Sequence, residues 1–97
     1  MTIIRKNFPS VIKDNEEVYF KLLEGVISSL DELSSMEINR TLHSYTFRIA
    51  TSTPQYSQPL LEEIINFHKF IGIQLDLSKS IKANSTIFYQ INLDNKN

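Results

Sequence analysis

The spacing of apolar residues changes twice between residues 43 and 93, and this double change restricts the fold more than anything else in the chain. His43, Tyr45, Phe47 and Ile49 alternate with Ser44, Thr46, Arg48 and Ala50. From residue 57 to 72 the spacing becomes helical, with Leu61, Ile64, Ile65, His68 and Ile71 on one stripe. After Gly72, Ile73, Leu75 and Leu77 alternate with Gln74, Asp76 and Ser78. A strand repeats every two residues and a helix every 3.6, so this pattern predicts a strand, a crossover helix and a second strand. A link of about 20 residues holding a helix suits a right-handed parallel crossover.

Residues 72–82 have a second reading. Ile71, Leu75 and Ser78 would extend the helical stripe, but Ile73 and Leu77 would then lie off it. The strand explains more residues, and Gly72 is a natural helix stop. A turn at residues 82–85 then leads to a last strand. There Ile87, Tyr89, Ile91 and Leu93 alternate with Phe88, Gln90 and Asn92.

Upstream, Asp14 or Asn15 can cap a first helix, and Glu16 and Glu17 place negative charge in its first turn. Its inward stripe is read as Tyr19, Leu22, Leu23, Val26, Ile27, Leu30 and Leu33, ending at Ser34 and Ser35. Gly25 inside it suggests close approach of a neighbouring element. Residues 37–51 read as one long strand, with a bulge near Leu42 to reconcile Ile38 and Leu42, which share a parity opposite to that of His43, Tyr45, Phe47 and Ile49. Residues 1–13 form an N-terminal extension or edge strand, and residues 94–97 a frayed tail. The expected fold is an α+β two-layer sandwich. Two helices pack on one face of a small mixed sheet, in the order (β)-α-β-α-β-β, within a single domain spanning residues 1–97.

Composition narrows the functions. A net charge of −1 lacks the basic excess that nucleic-acid or membrane-coating proteins show. The absence of cysteine excludes disulfides, thiolate metal sites and cysteine nucleophiles. Gly25 and Gly72 are the only glycines, too few for a phosphate-cradling loop. No run approaches the roughly 18 apolar residues of a membrane span. No apolar run follows the charged start, so the expected location is cytoplasmic.

Chemistry-bearing residues are scattered. His68 sits on a helix stripe and His43 on a strand, each without a companion at ligand spacing, so a structural role is expected for both. The adjacent acids Glu16 and Glu17, Asp31 and Glu32, and Glu62 and Glu63 point in different directions on a helix and cannot share a metal or proton. No catalytic residue, metal or cofactor is expected. Two places remain. The polar sheet face carries Arg48, Phe88 and Gln90, which suit a docked protein partner or a second copy in a homodimer. The same residues, with Arg5, Lys6, Lys79 and Lys82 at the edges, make single-stranded nucleic acid an alternative. The loop at residues 51–59 presents Thr51, Ser52, Tyr56 and Ser57 before a helix N-terminus, with Arg48 near, as a site for a small anion or metabolite. The leading expectation is a non-enzymatic interaction or regulatory accessory module that self-associates.

Overall fold

Two periodicities in one chain give two layers in the computed structural model, which describes residues 1–77 and 85–93. The elements run β1 (Thr2–Lys6), α1 (Asp14–Leu30), β2 (Ser35–Arg40), β3 (Ser44–Ala50), α2 (Ser57–Ile71) and β4 (Thr86–Asn92). A single 3₁₀ turn, Pro54–Tyr56, leads into α2. The sheet order is β1-β2-β3-β4, with β1 parallel to β2 and the other two pairings antiparallel. Both helices lie on one face, giving the expected α+β sandwich on a mixed sheet. The element order is β-α-β-β-α-β, with the second strand of the expected series divided in two.

That division corrects the single strand expected over residues 37–51. The change of inward parity from Ile38 to Tyr45 is a chain reversal and not a bulge. Thr41 N–H donates to the Ser44 carbonyl at 2.8 Å, closing a tight turn, and Ile38 then faces Phe47 across the hairpin. A reversal and a bulge both shift parity by one, so the pattern alone does not separate them. Leu42, at the tip, is 82% exposed.

The parallel crossover also moves. β1 and β2 are the parallel pair and α1 is their crossover helix. β3 and β4, joined through α2, are antiparallel neighbours. After Gly72 the chain passes along the outer side of β4, where Asp76 and Gln90 exchange backbone hydrogen bonds of 2.8 and 3.1 Å. This single antiparallel bridge replaces the expected strand as far as Leu77. The helical continuation is not seen there either, because Gly72 adopts φ 77° and ends α2. The rest of that stretch, the turn at residues 82–84 and the tail at residues 94–97 lie outside the described residues.

Alternation builds the core. Met36 and Ile38 of β2, Tyr45, Phe47 and Ile49 of β3, and Ile87, Tyr89 and Ile91 of β4 are buried against Tyr19, Phe20, Leu23 and Ile27 of α1 and Leu60, Leu61, Ile64 and His68 of α2. Rings form its spine. Phe47 stacks on Tyr89 at 4.7 Å between centroids, and Phe20 meets Tyr45 edge-on at 4.9 Å. On β1, Arg5 points to the helices. It makes a two-pronged contact with Glu17 at 2.6 and 3.2 Å, and its guanidinium lies 5.3 Å from the rings of Phe8 and Phe20.

The two glycines play opposite parts. Gly25 faces open space, with nothing within 4 Å of where a Cβ would stand, so it does not serve the close approach expected of it. Gly72 needs its left-handed backbone. Gly25→Ala is expected to raise stability by about 0.5–1 kcal/mol, and Gly72→Ala to lower it by about 1 kcal/mol. Urea unfolding of the two variants checks both signs.

Candidate interaction surface

Alternation sends every second residue of the sheet away from the helices. On that open face Ile4, Glu37, Arg48 and Phe88 lie in one cross-strand row. Thr46, Gln90 and Asp76 lie in the next. Lys6 Nζ is 2.7 Å from Glu37 Oε2. The Glu37 carboxyl is held below the usual carboxylate range, first by the hydrogen bond from Lys6 and also by the charges of Lys6 and Arg48. Arg48 is exposed, whereas Phe88 is half-buried beside a cleft of about 170 Å³ lined by Thr46, Phe47, Asp76, Phe88, Tyr89 and Gln90. The structure thus brings Arg48 and Phe88 together as register partners, with Gln90 one row away. Phe88 is the one aromatic projecting from this face among the described residues, and two carboxylates stand near it.

The loop predicted to hold an anion already surrounds a carboxylate of its own. Asp31, the residue after α1, is 4% exposed. Its carboxylate accepts from Ser52 N–H at 2.7 Å, Ser52 Oγ–H at 2.8 Å and Leu33 N–H at 3.3 Å. Thr51 Oγ1 lies 2.9 Å from the Thr53 carbonyl, 3.0 Å from that of Ser85 and 3.3 Å from Ser57 Oγ. Tyr56 is half-buried beside them. The four residues do cluster, but the donors of Ser52 are turned to Asp31. Arg48 belongs to the open sheet face.

The histidines separate cleanly. His43 lies in the β2–β3 turn, where its carbonyl accepts from Leu93 N–H at 2.7 Å. His68 is 1% exposed. Its Nδ1–H donates to the Ile64 carbonyl at 2.7 Å, which leaves Nε2 to accept the Tyr19 hydroxyl at 2.6 Å. Burial lowers the imidazole pKa and so favours the neutral ring that this pairing uses, with the Ile64 bond opposing. Burial pushes up the Tyr19 phenol, and the deeper Tyr89 phenol well above its usual range. Tyr89 Oη has no partner in hydrogen-bond geometry, although Tyr19 is close enough to perturb it. Glu16 and Glu17 diverge as expected, whereas Asp31 and Glu32 lie beyond the end of α1. Glu17 turns to Arg5, while Glu16 accepts the Tyr45 hydroxyl at 2.6 Å. Burial and this carboxylate push the Tyr45 phenol up to about 12. Among the described residues no three His, Asp or Glu side chains gather as metal ligands. No described helix is long and apolar enough to cross a membrane.

A third surface escaped the sequence reading. Each helix runs back against the strand before it, and β3 opposes β1, so α1 and α2 are antiparallel. They meet where the Tyr19 ring stacks on Phe67 at 6.2 Å and meets His68 edge-on at 5.5 Å. Leu22 lies on the solvent side of Tyr19 and Phe70 on the solvent side of Phe67, by helical spacing. Val18 is 56% exposed, Leu22 51% and Phe70 90%. Helical spacing in the sequence puts Leu22 on the inward stripe, but Phe20 takes that position. The available signal was on α2, where Phe67 and Phe70 are left over, three residues apart, once the inward stripe is assigned. No protein-family model matches the chain, and no curated protein is significantly similar to it.

Proposed function

We propose that this chain is a non-enzymatic protein-interaction module that docks its partner on the outer face of the two helices. The observation that carries this reading is the apolar group of Val18, Leu22 and Phe70, exposed beside one helix seam. An isolated exposed apolar residue is ordinary, whereas several flanking one seam mark a contact surface. Burying each fully contributes about 1.5–3 kcal/mol, and aromatic anchors carry much of the energy of protein interfaces. The buried, neutral pairing of His68 with Tyr19 supports a structural role for the residue best suited to acid–base chemistry.

The runner-up surface is the open sheet face around Arg48, Phe88 and Gln90, favoured by its cleft. Photo-crosslinking in the native host separates the two. A crosslinking residue at position 70 is expected to capture a protein that the same residue at position 48 does not. Capture from position 48 alone would move the site to the sheet, and capture from neither would overturn the proposal. A salt-sensitive gel shift with single-stranded RNA would favour the nucleic-acid alternative.

A further inference from the structure

We infer that the occupant of the helix face is a second copy of this chain, an inference that rests on the interaction reading above. The face is close to self-complementary. Rotation by 180° about an axis along the helix seam lays α1 of one copy over α2 of the other and retains the antiparallel sense. That is the isologous geometry of a two-fold dimer. Because Tyr19 is level with Phe67 and His68, Val18 lies nearly level with Phe70 on the antiparallel neighbour. The rotation therefore sets Val18 against the partner's Phe70, and Phe70 against the partner's Val18.

Charge follows the same symmetry. The rim of α1 away from the seam carries exposed Asp14 and Lys21, and the corresponding rim of α2 carries exposed Glu62 and Lys69. In the rotated pair Lys21 falls near the partner's Glu62, within a turn of level, and Lys69 near the partner's Asp14. Each cation meets an acid, and each contact occurs twice. Shifting the two-fold axis over α1, so that α1 lies on α1, would instead bring Lys21 level with the partner's Lys21. Helices of 17 and 15 residues are roughly 25 Å long. A two-helix face about 20 Å wide then covers on the order of 500 Å² per copy, at the low end for specific interfaces. The dimer should therefore dissociate on dilution.

Sedimentation velocity over low to high micromolar concentration tests this. The expected result is a monomer–dimer equilibrium in the wild-type chain. Phe70→Ser should move its midpoint at least about tenfold toward higher concentration. The side chain is 90% exposed, so this variant keeps its fold, as circular dichroism will verify. Lys21→Glu should weaken the dimer and Lys21→Glu with Glu62→Lys should restore it, while Arg48→Glu on the sheet face leaves it unchanged. A monomer at every concentration overturns self-docking. In that case, crosslinking of a different protein through position 70 would leave the interaction reading standing. Dimerisation lost with Arg48→Glu but not with Phe70→Ser overturns the choice of face.

Discussion

Asp31→Ala is expected to cost about 2 kcal/mol, a large effect for a residue at the end of a helix. A carboxylate at a helix C-terminus is opposed by the macrodipole, so something must compensate it. Here the compensation is the two donors of Ser52, which tie the end of α1 to the loop entering α2. Hydrogen bonds to a charged group contribute about 1.5–3 kcal/mol. Removing the acceptor strands the Ser52 donors, but Ser52 is exposed and water can reach it, which keeps the loss toward the lower end. For a domain of this size the melting temperature should fall by roughly 8–16 °C. Ser52→Ala deletes only the hydroxyl and should cost about 0.5–1 kcal/mol. Thermal unfolding followed by circular dichroism gives both values. Equal effects from the two variants would show that the carboxylate has no role beyond that one hydroxyl.

The second large effect concerns the polar pair inside the core. Tyr19→Phe removes the donor to His68 Nε2 and leaves a buried acceptor unsatisfied, at a cost of about 1–3 kcal/mol. His68→Leu strands the Tyr19 hydroxyl by a similar amount. The double variant removes both partners and should cost clearly less than the sum, which a double-mutant cycle measures. Strict additivity would mean that the two groups do not interact. The pair also sets a pH dependence. Burial holds the folded-state pKa of His68 below its ordinary 6.5, so just below that pH the unfolded chain binds a proton that the folded chain does not. Stability is therefore full above about 6.5, falls as the solution is acidified through it, and levels off once the folded-state pKa is passed. The carboxylates of Glu17 and Glu37, held low by Arg5 and Lys6, lose their contribution only at more acidic pH. His68→Leu should flatten the upper step and leave the lower one. An unchanged upper step would assign it to another group.

The sequence disclosed the layers better than the connections. Alternation at Tyr45, Phe47 and Ile49 and at Ile87, Tyr89 and Ile91 named the inner face of β3 and β4 correctly, because only one face of this sheet is buried. Period alone does not record direction, which is why the reversal at residues 41–43 read as a bulge and the parallel pair was assigned to the wrong helix. The α1 stripe was broad enough to admit Leu22, and it took the packing of Phe20 against Tyr45 to choose between them. On the candidate surfaces, Arg48 and Phe88 were legible as neighbours in kind but not in register. The hydroxyl-rich loop was legible as a cluster, but its bond to Asp31 joins residues far apart in sequence. His68 was read as structural, and its neutral, doubly hydrogen-bonded ring agrees with that.

The edges of the sheet carry a consequence for solubility. β1 is an edge strand, and it ends in Arg5 and Lys6. The free side of β4 is met at Gln90 by Asp76. Fibrils grow by stacking identical strands in register, which on β1 would set Arg5 over Arg5 and Lys6 over Lys6 in every added copy. Repulsion would accumulate with each layer. The chain can therefore leave apolar side chains uncovered on its helices while its sheet remains a poor template for amyloid.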